Sequence, residues 1–215
     1  MWIRRRVLFA ILGSALLAWP QAWASPQHTS PAASVLVVGD SLAAEYGLKR
    51  GSGWVAIIEQ RIKASHAAHH IHNSSISGDT SSGGLSRLPA LLKQYQPDIV
   101  IIELGANDAL RGLSLEATRK NLSDMIVLAK QAHAQVLLLG MQIPPNYGRQ
   151  YAEQFRRVFP DLASQHNTSL TPFLLEGMAM ERSLFQPDGI HPNETAQPML
   201  ADNVWRQLEP MLQQL

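Results

Sequence analysis

The chain has 215 residues, 18 Lys+Arg against 17 Asp+Glu for a formal net charge of +1, and no cysteine. That length suits one domain with a proper core. The near balance of charge lacks the clustered basic face of a nucleic-acid binder, and without cysteine there is neither a thiol nucleophile, a disulfide nor a thiolate metal site.

The first 24 residues form a unit of their own. A basic start containing Arg4, Arg5 and Arg6 leads into an apolar run over 7–19 that is broken only by Gly13 and Ser14. Ala22-Trp23-Ala24 then offers small residues at the two positions a signal peptidase reads. This order predicts a secretory signal peptide over 1–24, cleaved after Ala24. The apolar run falls short of the about 20 residues that cross a bilayer, so no stable membrane insertion is expected after cleavage. The leader holds three arginines and no acid, so its removal turns the net charge from +1 to −2. The mature chain is expected outside the cytoplasm, and in the periplasm where the cell has an outer membrane. Residues 25–33, polar with Pro26 and Pro31, read as a mobile lead-in to a single domain over 34–215.

Within that domain, apolar β-rich runs alternate with segments of helical spacing. Strands are predicted over 34–38, 70–76, 98–104, 135–140 and 169–174. The third and fourth are nearly continuous in Val, Ile and Leu, the pattern of strands covered on both faces. Helices are predicted over 54–64, 85–95, 115–133, 151–165 and 195–208. Trp54, Ile57, Ile58 and Ile62 share one face of the first; Ser114 is the N-cap of the third; Pro210 is expected to stop the last. Five alternations predict an α/β fold, a three-layer α/β/α sandwich around a central, mostly parallel five-stranded sheet.

Ligands of such a fold bind beyond the carboxyl ends of the strands. Gly39-Asp40-Ser41 follows the first strand, Ser77-Gly78-Asp79-Thr80 the second, and Gly105-Ala106-Asn107-Asp108 the third. Asp188-Gly-Ile-His191-Pro192 lies between the fifth strand and the last helix. A serine hydroxyl needs a base to become a nucleophile, and the base needs a partner to fix its tautomer. Ser41, His191 and Asp188 are the candidates, since a separation of three residues lets the carboxylate reach Nδ1 and leaves Nε2 for the hydroxyl. Gly189 relieves the backbone between them, and Asn193 or Thr195 is available as a later helix cap. The amides of Ser41 and Gly78 and the carboxamide of Asn107 are candidate donors to an oxyanion. Each element alone is an ordinary turn; four of them in this order, three at strand ends, are not.

These four blocks resemble those of the SGNH (GDSL) hydrolase family, whose flavodoxin-like fold they imply, from about Val35 to the C-terminus. The stretches over 141–151 and 188–198 are more similar still to its bacterial periplasmic acyl-CoA thioesterase, lysophospholipase and arylesterase subgroup. The resemblance implies Ser41 as nucleophile, His191 as base, Asp188 as its orienter, and Ser41, Gly78 and Asn107 as oxyanion donors. It implies no cofactor and no metal, with small-molecule acyl esters or thioesters of long or medium chain as substrates and a monomeric enzyme. A carbohydrate O-acetyl esterase and a non-catalytic acyl- or lipid-binding protein are the alternatives.

The chain lacks Gly-x-Ser-x-Gly and so is not a nucleophile-elbow hydrolase. The largely apolar segment 109–115, with Leu110 and a central Gly112, reads as a flap over an acyl chain, and Ile143 with Pro144 as the opposite wall. His66, His69, His70 and His72 have no nearby acid and read as surface histidines. Asp40, Asp79 and Asp108 are expected to orient loops. Glu103, in an apolar strand at the edge of the site, needs a partner that the sequence does not name.

Overall fold

The computed structural model describes residues 32–65 and 68–215; the leader and most of the lead-in lie outside these, as do His66 and Ala67. Five strands, β1 (Ser34–Gly39), β2 (His70–Asn73), β3 (Ile99–Glu103), β4 (Gln135–Leu139) and β5 (Ser169–Thr171), form one sheet in the order β2-β1-β3-β4-β5. Every pairing is parallel. β1 and β3 are buried along their whole length, which is why they read as unbroken apolar runs.

The helices are α1 (Trp54–Ser65), α2 (Ser81–Tyr95), α3 (Ala106–Leu110), α4 (Leu115–Gln131), α5 (Arg149–His166) and α6 (Gln197–Leu212). α1 packs on α6, while α2, α4 and α5 pack in a row, giving the two outer layers. Right-handed crossovers require this division: the chain moves one way from β1 to β2, then the other way to β3, β4 and β5. The reversal makes the gap between β1 and β3 the topological switch point of the sheet. Gly39 pairs in register with Glu103 there, so the loops after both strands open on one crevice.

Several boundaries differ from the sequence reading for local reasons. β2 ends at Asn73 and β5 at Thr171, both short of the predicted ends. α2 starts at Ser81 because the Thr80 hydroxyl caps the Gly83 amide; the first turn, Ser81-Ser82-Gly83-Gly84, has no apolar period to announce it. Gly84 is required by packing, since a Cβ there would lie 2.2 Å from the Leu104 side chain. Ser114 caps the Ala117 amide of α4 as expected. Pro210 does not stop α6: the helix runs on to Leu212 because Met211 and Leu212 are buried, and packing outweighs the one hydrogen bond that proline withholds. The reading of the histidines as surface groups fails at His69, which is buried with Nδ1 accepting from the Ala33 amide at 3.1 Å.

Candidate active site

Ser41 stands two residues beyond the sheet, where β1 breaks into a run of turns instead of a helix; α1 begins only at Trp54. The turn is tied down on both sides. Asp40 Oδ1 accepts the Leu42 amide at 3.1 Å, and the Trp54 indole N–H donates to the Leu42 carbonyl at 3.0 Å. Trp54 is fully buried, and its own amide donates to Gln197 Oε1, so two helices hold the far side of the turn.

The second loop contributes Gly78, in the left-handed region at φ 79°, as a turn between Ile76 and Asp79 requires. Arg87 on α2 secures this loop: it pairs with Asp79 at 2.9 Å and also donates to the Ser74 and Gly39 carbonyls. Asn107 falls in the first turn of α3, a short helix that is not among the five predicted ones. Asp108 beside it is buried and accepts from the Ser81 amide and hydroxyl and from the Thr118 hydroxyl, joining α2, α3 and α4. Asn107 Nδ2 donates one hydrogen bond to Asp40 Oδ2 at 2.9 Å. Among the described residues, neither the Ser41 nor the Gly78 amide has an acceptor.

His191 arrives from the long loop before α6. Its Nδ1 lies 2.7 Å from Asp188 Oδ2, and its Nε2 lies 2.9 Å from Ser41 Oγ. Asp188 Oδ1 accepts the Ile190 and His191 amides at 2.9 and 3.0 Å, with Gly189 at φ 74° turning the chain between them. Burial alone would raise the Asp188 carboxyl, but those two amides and the imidazole outweigh it and hold the group down at about 2. It is therefore ionised throughout the range in which an imidazole titrates.

Three supports of this loop left no signal in the sequence. The Arg182 guanidinium donates to the carbonyls of Phe185, Gln186 and Pro187, just before Asp188. Gln186 Nε2 donates to the Tyr46 carbonyl, tying the histidine loop to the serine turn. The Tyr46 ring sits 4.5 Å from the His191 ring, tilted by 42°. Asn193 is not a side-chain cap; its amide group is spent on the Ser183 carbonyl.

The four groove residues fare differently. Leu110 and Ile143 pack on the core, Pro144 is exposed, and Gly112 takes φ 68° with open space around its Cα. The segment around Gly112 is fastened at Leu113, whose amide donates to the Asp108 carbonyl and whose carbonyl accepts from the Tyr151 hydroxyl at 3.0 Å. Among the described residues, no group of three or more His, Asp or Glu is placed to hold a metal ion, and no helix is long and apolar enough to cross a membrane.

The family model for the GDSL-like Lipase/Acylhydrolase family matches residues 37–197. Esterase TesA of Pseudomonas aeruginosa is 49% identical over 181 residues, 84% of this chain and 90% of that protein. Thioesterase 1/protease 1/lysophospholipase L1 of Escherichia coli K12 is 42% identical over 185 residues, 86% of this chain and 88% of that protein. A crystal structure of TesA superposes with a TM-score of 0.80, covering 83% of this chain and 99% of the other.

Proposed function

Since the chain belongs to the GDSL-like lipase/acylhydrolase family, we propose that it hydrolyses acyl esters and thioesters through an acyl-enzyme on Ser41, with His191 as base and Asp188 as its orienter. That the chain is an ester hydrolase of the SGNH type follows from the family and from its esterase and thioesterase relatives. The observation that carries the residue assignment is the continuous line from Asp188 Oδ2 to His191 Nδ1 and from His191 Nε2 to Ser41 Oγ, at 2.7 and 2.9 Å.

The steps follow from that line. His191 Nε2 takes the hydroxyl proton as Ser41 Oγ bonds to the carbonyl carbon. The carbonyl oxygen becomes an oxyanion, which the Ser41 amide, the Gly78 amide and the second N–H of the Asn107 carboxamide stabilise. Collapse breaks the bond to the alcohol or thiol, which leaves with the proton held on His191. Water then repeats the sequence on the acyl-enzyme, delivering its proton to His191, releasing the acid and restoring the Ser41 hydroxyl. Asp188 stays ionised and supports the imidazolium at each turn.

Large exposed apolar side chains beside the site support acyl chains as the substrate class. Tyr46 lies against His191, Ile190 is its chain neighbour, Ile76 precedes Gly78, and Leu113 follows α3. Leu113, exposed where Leu110 is half-buried against the core, is the apolar surface that the flap over 109–115 offers. p-Nitrophenyl esters from acetate to palmitate test this reading. Turnover is expected to rise beyond acetate, to be indifferent to EDTA, and to lose its chain-length preference in Leu113→Ser. Turnover confined to acetate would shift the substrate to small O-acetyl groups, and ligand binding without turnover would leave a lipid-binding protein.

The leader supports export of the enzyme. N-terminal sequencing of the exported protein is expected to begin at Ser25; recovery of the intact N-terminus in the membrane fraction would contradict this.

A further inference from the structure

Glu103 is the last residue of β3 and is completely buried, although the chemistry above makes no use of it. Its partner is now visible. Gly39 and Glu103 are in register on adjacent parallel strands, and a Cβ on Gly39 would lie 2.7 Å from Glu103 Oε2. The glycine before Asp40 is thus needed for space, since its φ is unremarkable. The room lets the Glu103 carboxyl slide past the strand end, where Oε2 accepts the Asp40 amide at 3.1 Å. The two carboxyl groups then lie within hydrogen-bonding reach of each other.

Two buried carboxylates in contact cannot both be ionised. The surrounding donors decide which one keeps the proton. Asp40 receives an N–H at each oxygen, from Leu42 at Oδ1 and from Asn107 at Oδ2. Glu103 receives backbone N–H groups, but no N–H or O–H of the described residues is directed at its Oε1. Arg87, which reaches the same strand end, spends its N–H groups on Asp79 and on the Ser74 and Gly39 carbonyls. Burial pushes Glu103 well above the usual carboxylate range, and the charge of Asp40 adds to this. Burial also lifts Asp40, but the Leu42 amide, the hydrogen bond from Glu103, the charge of His191 and the Asn107 amide counter it, leaving the group at about 6. At neutral pH the proton therefore belongs to Glu103.

We propose that Glu103 is a positioning residue, an uncharged carboxylic acid that keeps its proton and donates a hydrogen bond to Asp40, so that Asp40 can grip one N–H of Asn107 and aim the other at the oxyanion. The inference rests on the reading of Asn107 as an oxyanion donor. A carboxamide has two N–H groups on one nitrogen, so an acceptor that fixes the first also fixes the direction of the second and the side to which the oxygen turns. Asp40 is that acceptor. Glu103 keeps it ionised and stationary in a dry place, where a bare carboxylate would otherwise take up a proton or turn away.

Kinetics of Glu103→Gln and Glu103→Met, alone and in an Asn107→Ala background, test this. Gln keeps both roles of the neutral acid, accepting from the Asp40 amide and donating to its carboxylate. It should hold kcat within about threefold of the parent. Met fills similar space without a donor and should lower kcat by about 10–100-fold while KM moves little, because the oxyanion exists only in the transition state. In the Asn107→Ala background, itself down by about 10²–10³-fold in kcat, Glu103→Met should add less than about twofold. A Gln variant as poor as Met, or losses that multiply in the double variant, would overturn the proposal. An unaffected Asn107→Ala would instead bring down the oxyanion reading beneath it. Asp40→Asn covers the case in which Glu103→Met does not fold. It sets a carboxamide N–H against that of Asn107 and should match Asn107→Ala in kcat, and full activity would again overturn the proposal.

Discussion

Ser41→Ala is expected to lower turnover of a p-nitrophenyl ester by about 10⁴-fold or more, with the fold intact. The size follows from what the hydroxyl does. Without Oγ there is no acyl-enzyme, and His191 Nε2, now 2.9 Å from nothing it can deprotonate, serves only a water without a fixed place. The Gly78 and Asn107 donors remain, so a residual rate above that in water should survive. The fold should tolerate the change because the turn is held by Asp40, Trp54 and Gln197, none of which bonds to the Ser41 hydroxyl. Activity within tenfold of the parent, checked against a matched thermal melt, would remove Ser41 from the centre of the mechanism.

Asp188→Asn is expected to cost nearly as much, about 10⁴-fold in kcat, for a different reason. The amide oxygen can still take the Ile190 and His191 amides that Oδ1 takes now, which keeps the turn. The amide nitrogen then faces His191 Nδ1 and can only donate to it. The imidazole proton is driven to Nε2, which becomes a donor toward Ser41 and no longer a base. The pH profile separates this role from simple charge loss. A carboxyl held at about 2 is ionised above that point and loses its contribution only as pH falls through it. The acid limb of kcat/KM at pH 4–7 therefore cannot come from Asp188. A loss of less than tenfold in Asp188→Asn would mean that other groups set the tautomer.

Much of this was legible in the sequence because it was written in local patterns. The buried strands β1 and β3 announce themselves as runs of Val and Ile, and the sheet-end rule points from them to Ser41, Gly78 and Asn107 before any contact is known. Asp188 and His191 share one turn, so their spacing already implies their bond. What escaped depends on contacts that leave no period or spacing. Arg182 reaches three carbonyls of its own loop, Gln186 bridges 140 residues to Tyr46, and Trp54 caps a carbonyl twelve residues back. Glu103 was visible as an anomaly, a carboxylate in an apolar strand, but its partner is set by strand register, which a single sequence does not state. Pro210 misled because a proline rule read locally is outweighed by the burial of Met211 and Leu212 beyond it.

The account turns on a covalent bond to one oxygen, and trapping that bond tests it most directly. The protein would be treated with a p-nitrophenyl alkylphosphonate, which bonds irreversibly to an activated serine and mimics the tetrahedral intermediate. Intact mass and peptide mapping should find one phosphonyl group per chain, on Ser41, with one p-nitrophenolate released and ester turnover lost in step; Asp188→Asn should label far more slowly. An adduct on another residue, or unlabelled protein that still turns over esters, would contradict the assignment of Ser41, His191 and Asp188.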